Sequence, residues 1–432
     1  MMFKMNKFNL TVTLSLLVSS SVSADVISLN EEKVIEMALK RNEAIGISSA
    51  EIEIAKSKVE ASTSSLYPTL SLQAQIQKTR GKGSAAPNAY DWNEKGSIGV
   101  TQPVYTFGKL SSAIDIAKSS ESLSRVKSLV TQADVKNTAR KLYYRVLYSN
   151  DLLKASKDSF KNANQNKKTL EKRVSYGRIS RNDNLKMQAD IASRRPFLID
   201  SEKNLDLAKL DLLNFLAIEE GSEVRFEKES LREISLRDDS NASNVENNLD
   251  VKILNENLKL RELSIESEKS NRMPTLNAFA TFSPTNYKDG FLGDKIKEQE
   301  DLTFGLMFTF DWPFGGSKND AIQVRRTEVR IAKLQLTQEK RNQKVQLEKL
   351  YKQKESLERK LESELEAIKL ALSSYKVSLG AFATGGVSQL QLNDSELLLT
   401  NNRISYAGTK FEILNTIIDI ERLTTTSPER GK

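Results

Sequence analysis

Two periodicities divide this chain. In a few short stretches apolar and polar residues alternate. Leu70, Leu72, Ala74 and Ile76 interleave with Ser71, Gln73, Gln75 and Gln77. Leu302, Phe304, Leu306, Phe308, Phe310 and Trp312 interleave with Thr303, Gly305, Met307, Thr309 and Asp311. Shorter versions occupy Ile98–Val100 and Leu276–Phe282. A period of two places one set of side chains on each face of a strand. Between these stretches the pattern is helical. Lys109 to Tyr176 is 68 residues without glycine or proline, and Ser317 to Leu379 is 63 more. A continuous helix of the first length reaches roughly 100 Å. That exceeds the globular norm and predicts a coiled coil or long bundle. Leu347, Leu350, Leu357, Leu361, Leu365, Ile368, Leu372, Tyr375 and Leu379 fall three, four or seven apart, a heptad-like seam interrupted by Lys354.

The two halves repeat. Leu66-Tyr67-Pro68-Thr69-Leu70 returns 206 residues later as Arg272-Met273-Pro274-Thr275-Leu276. Pro103-Val104-Tyr105-Thr106-Phe107-Gly108 returns loosely as Phe310-Asp311-Trp312-Pro313-Phe314-Gly315, with the Phe-Gly pair offset by 207. Gly177-Arg178-Ile179-Ser180 returns as Gly385-Gly386-Val387-Ser388, offset by 208. Landmarks kept in order at nearly constant spacing mark a duplicated unit. Each unit reads helix, hairpin, very long helix, glycine turn, return helix. The expected divisions are a first unit over 25–218, a polar connector over 219–248, a second unit over 249–425 and a disordered tail over 426–432.

Composition narrows the chemistry. The chain has 432 residues and neither cysteine nor histidine. That removes Cys/His zinc sites, histidine-based triads and disulfides. No phosphate-binding glycine motif is present. The reading is of a protein that is not an enzyme, with no catalytic, cofactor-binding or metal residues. The net charge is +8, but both signs mix along the helices, which predicts a solvated surface and no nucleic acid. Residues 1–24 have basic residues, an apolar run and a Val22-Ser23-Ala24 end, the layout of a signal peptide. No later run is apolar for 18 residues, so no membrane-spanning helix is expected.

The strands suggest another way to meet a bilayer. Tyr67, Tyr105, Phe107, Trp312 and Phe314 cluster at strand ends, as interfacial aromatic girdles do. Four strands cannot close a barrel, and open edges are not tolerated in lipid. Several chains must therefore pool their strands. Three copies give twelve, leaving more room inside than the eight from two.

This layout resembles the TolC family of outer-membrane channels. The resemblance rests on the repeat, the Tyr-Pro-Thr-Leu and Met-Pro-Thr-Leu strand starts, the Pro-x-Tyr-x-Phe-Gly and Trp-Pro-Phe-Gly strand ends, and the glycine turns. It implies a mainly α fold with membrane β: a long α-helical barrel or coiled-coil bundle, and four strands per chain in a trimeric twelve-stranded outer-membrane barrel. It also implies a homotrimer in outer-membrane lipid with its helices in the periplasm. The implied partners are a periplasmic adaptor and an inner-membrane ABC or proton-driven transporter, for efflux or type I secretion. By resemblance, Tyr176, Gly177, Arg178, Ile179 and Ser180, with Thr384, Gly385, Gly386, Val387 and Ser388, form an adaptor-docking tip. Asp394, and more weakly Asp183, are the candidate acids of a periplasmic gate. The sequence departs from the family at Gln391, where a second acid is expected. Phe382 and Val174 replace a tyrosine, and Val387 replaces an arginine. The main rival is a periplasmic coiled-coil adaptor or envelope-structural protein without a pore. A carboxylate hydrolase is a second rival.

Overall fold

The computed structural model describes residues 27–80, 90–175, 181–219, 224–228, 230–233, 248–288, 295–311 and 315–425. The expected signal peptide and tail lie outside these residues. The first half contains β1 (Ile27–Leu29), α1 (Glu31–Arg41), α2 (Glu43–Ser64), the hairpin strands β2 (Thr69–Arg80) and β3 (Tyr90–Tyr105), α3 (Lys109–Ser175) and α4 (Arg181–Phe215). After β4 (Val224–Phe226), the same order returns as α5 (Leu249–Ser270), β5 (Thr275–Lys288), β6 (Lys295–Thr309), α6 (Ser317–Thr384) and α7 (Gln389–Thr424). Both long helices are nearly equal, at 67 and 68 residues. Each therefore extends about 100 Å. The return helices have 35 and 36 residues, so each runs back only about half that length.

The helices form a wall. Toward the sheet, α3 packs between α2 and α5, and α5 packs on α6. Toward the turns, α3 packs between α4 and α7, and α7 packs on α6. Small polar side chains let the axes approach. Ser48 meets Ser128 at 3.2 Å, Ser112 meets Ser270 at 3.2 Å, and Ser156 meets Ser201 at 2.8 Å. These paired hydroxyls satisfy one another or a carbonyl of the preceding turn, whereas the buried Ser119 Oγ and Thr409 Oγ1 have no partner among the described residues. The leucine seam holds in part. Leu347 and Leu350 pack with Ile420, and Leu357 packs with Ile413 and Ile417. Leu365 and Leu379 are instead exposed at the wall's edge. Lys354 is accommodated by lying 3.4 Å from Glu358.

Midway along the wall sits the largest core. Leu29, Val34, Ala38, Tyr143, Leu147, Leu212, Leu216, Leu231 and Ile418 are buried together. β1 and β4 pair in parallel beside it, Ile27 with Val224 and Leu29 with Phe226. The described residues of the 219–248 stretch include β4 and a short 3-10 turn at Leu231–Glu233.

The four long strands form one antiparallel sheet in the order β2-β3-β5-β6. They are longer than the alternating stretches suggest: 12, 16, 14 and 15 residues. Pairing of β3 with β5 joins the two hairpins, with Gly99 opposite Thr281 and Val100 opposite Ala280. This register puts Ser71, Gly99, Thr281 and Thr303 on one face. The other face carries Leu70, Val100, Ala280 and Phe304. Gly99 has a steric reason to be glycine, because a Cβ there would lie 2.9 Å from Ser71 Oγ. Gly305 lies under the Phe279 ring, 3.4 Å from where its Cβ would be. The aromatic cover protects a glycine that would otherwise weaken its strand. Among the described residues β2 and β6 each have one neighbouring strand, so each presents an open edge.

Candidate functional site

At the far end of the wall, α6 reverses into α7. Gly385 adopts φ +93°, a left-handed conformation that glycine enters without Cβ strain. Its N–H donates to Phe382 O at 3.3 Å, and the Gly386 N–H donates to Ala381 O at 2.8 Å. These two bonds form a Schellman close, satisfying carbonyls that the helix end would orphan. Thr384 Oγ1 also donates to Ala381 O, at 3.0 Å. Ser388 then starts α7. Its hydroxyl accepts from the Gln391 N–H at 3.3 Å, and its own N–H donates to Gln391 Oε1 at 2.9 Å. This reciprocal capping box assigns Gln391 a structural task. Val387 is half-buried with Leu170, Met187, Phe382 and Leu392. A valine before the cap, packed near the fourth helical residue, fits a hydrophobic staple. The replacements at positions 382, 387 and 391 thus build the turn's own packing.

The first-half turn, Tyr176, Gly177, Arg178, Ile179 and Ser180, lies outside the described residues, as does the Asp183 side chain. Asp394 is exposed on α7. Glu396, two residues on, is buried. Two helical steps rotate by about 200°, so these carboxylates occupy nearly opposite faces. The structure brings Asp394 near the turn but does not join it to the buried network.

That network escaped the sequence reading. Arg194 of α4 and Glu396 of α7 form an ion pair, with side chains 8% and 2% exposed. Ser159 Oγ of α3 accepts from Arg194 Nη1 at 2.7 Å, and Asp190 accepts from Arg194 Nε at 3.1 Å. Thr400 Oγ1 donates to Glu396 Oε1 at 3.0 Å. Burial alone would lower the Arg194 guanidinium pKa, but the hydrogen bond and charge of Glu396, helped by Asp190, raise it above its ordinary value. Tyr375 of α6 is pushed up as well, first by burial and then by the Glu396 charge. Four helices therefore share one buried polar cluster. The partners are 202 residues apart in sequence, so no local spacing marks them.

A second set of charges ties the middle. Arg140 of α3 reaches Glu31 of α1 at 2.7 Å and also Glu421 of α7. Arg422 of α7 spans Asp134 of α3 and Asp250 of α5. These bridges connect the two repeats above the turn region. Among the described residues, no group of acids is arranged to hold a metal ion. No described helix is long and apolar enough to cross a membrane.

Residues 34–217 match the model of the outer membrane efflux protein family. No curated protein matches the sequence. Several solved structures match its fold over most of both chains. The CusC transmembrane channel aligns with TM-score 0.77 and 13% identity, covering 92% of each chain. The CmeC outer membrane channel of Campylobacter jejuni aligns with TM-score 0.77 and 13% identity, covering 91% of this chain and 85% of that one. The open MtrE outer membrane channel of Neisseria gonorrhoeae aligns with TM-score 0.75 and 14% identity, covering 91% and 88%. Residues 34–217 are thus similar to outer membrane efflux proteins, and the chain has the fold that the CusC, CmeC and MtrE channels share.

Proposed function

We propose that this protein is the outer-membrane exit duct of a tripartite efflux pump or type I secretion system. The sheet carries this reading. One face exposes Leu72, Phe304 and Leu306, while the other is lined mainly by serine, threonine and glutamine, with Phe279 and Met307 among them. Such a sheet suits lipid on one side and water on the other. Its open edges require partners, because unpaired strand groups are not tolerated in hydrocarbon. The β6 edge of one copy would pair with the β2 edge of the next. Three four-stranded copies would then close a twelve-stranded barrel. The wall has the matching asymmetry. Toward the sheet, Val324, Ile331 and Leu334 are exposed on α6 and Ile47 and Ile54 on α2; toward the turns, Leu365 and Leu370 are exposed on α6 and Phe197 and Ile199 on α4. Head-to-tail contact between these unlike edges closes a ring by rotation.

On this reading the barrel lies in the outer membrane and the wall becomes a periplasmic tunnel. Substrate arrives from an adaptor and an inner-membrane transporter, and passes without chemistry. The turn at Thr384–Ser388, with its first-half counterpart Tyr176–Ser180, takes the adaptor. Asp394, with Asp183 as the weaker candidate, lines the gate. Fractionation and cross-linking test the assembly: the protein should sediment with outer membranes and cross-link to a trimer. Recovery only as a soluble periplasmic monomer would overturn the reading in favour of a connector without a pore.

A further inference from the structure

We propose that one face of α3 is a docking track for an acidic helix of a periplasmic partner protein. This rests on the exit-duct reading for its orientation. Lys154, Lys161 and Lys168 recur every seven residues, and all three are exposed. None has a hydrogen-bond or ion-pair partner among the described residues. Lys157 lies on the same face and sits 3.5 Å from Glu202. The opposite face is buried at Ser156, Ser159, Ala163 and Leu170. These lysines therefore form a column about 21 Å long on the side of α3 away from its packing against α4 and α7.

The column points outward from the duct. Asp151, one turn before Lys154, accepts hydrogen bonds from Ser230 Oγ at 2.6 Å and the Leu231 N–H at 3.0 Å. The segment it holds covers this side of the wall. A conduit must keep its interior clear, so the covered side is the outside. The track begins just beyond that segment and leads toward the turn. Neither is it at a subunit edge, since α3 is flanked by helices of its own chain.

The second repeat keeps only part of the column. At the 208-residue offset, positions 154, 157, 161 and 168 correspond to Glu362, Leu365, Lys369 and Lys376. The wider contrast is larger. Residues 154–186 contain ten Lys/Arg and three Asp/Glu, while residues 362–394 contain two and four. Each chain thus offers one basic track, and a trimer offers three. Seven-residue spacing suits a helix with carboxylates at the same repeat, as flanking charges pair in coiled coils. A flexible anionic polymer would have no need of that spacing.

The test uses the full-length protein purified in detergent and a designed 28-residue helical peptide with glutamate at every seventh position. Fluorescence anisotropy at low salt should show at least tenfold weaker binding after K154E/K161E/K168E. The milder K154Q/K161Q/K168Q should also weaken binding, and K369E/K376E should leave it within twofold. Unchanged binding by either triple variant, or an equal loss from K369E/K376E, would overturn the proposal. Sacculi retained by the native protein and lost by the triple variants, with peptide binding unaffected, would overturn it in favour of the cell wall. Planar-bilayer conductance separates this from the exit-duct reading. Specific peptide binding by a native protein without conductance would sink the duct and leave the track standing.

Discussion

The sheet and the turn end of the wall obey opposite rules. In the sheet, large apolar side chains face outward: Leu302 is 70% exposed and Phe304 is 79% exposed. At the turn end, charges go inside, with Arg194 and Glu396 buried among four helices. Apolar exposure on this scale is costly in water, and isolated charge burial is costly anywhere. On the exit-duct reading, the sheet would resolve its cost through a lipid surround and neighbouring chains. The wall offsets its own by pairing Arg194 with Glu396 and with Ser159, which ties α3, α4 and α7 to one arrangement. On that reading the same chain is built for two solvents, with the change falling where the strands meet the helices.

The sharpest way to break this contrast is to unpair the buried charge. Arg194→Ala should destabilise the turn end by about 3–5 kcal/mol, because Glu396 would remain buried without its cation. Arg194→Met with Glu396→Leu should recover most of that loss, as measured by thermal melting of the helical signal. Next comes the sheet, where adjacent residues face different solvents. Phe304→Lys should cost about 2–4 kcal/mol in vesicle-embedded urea unfolding. Thr303→Lys, on the polar face, should cost much less. Equal costs would remove the two-solvent assignment. The turn is the third test. Gly385→Val forces a β-branched residue into the left-handed region, at about 1–2 kcal/mol. It should impair substrate export while cross-linked trimer levels stay normal. The smallest effect is expected at Asp394. Asp394→Asn should weaken conductance block by multivalent cations about fivefold, the scale of one ~1 kcal/mol charge contact in water. An unaltered block would take Asp394 out of the pore.

Much of this architecture is written in local pattern. Leu70 to Ile76 and Leu302 to Phe308 reveal their faces because strand geometry has a period of two. α3 and α6 reveal their length through the absence of glycine and proline. Gly385 marks its turn because few other residues enter that conformation. What is missing from local pattern is set by distance. Arg194 meets Glu396 across 202 residues, and nothing in the intervening helix signals the meeting. β1 and β4 are only three residues each and pair across most of the first repeat. Their pairing depends on the core under them, not on their own sequence. Leu365 and Leu379 show the converse. Periodicity put them in a seam within the chain, but the chain leaves them exposed on α6, where another copy would cover them.

The most direct test of the duct is electrical. Purified protein reconstituted into a planar bilayer should form discrete conducting units, with multivalent-cation block that depends on Asp394. A membrane-inserted trimer that never conducts, even with the turn end mutated open, would contradict the account.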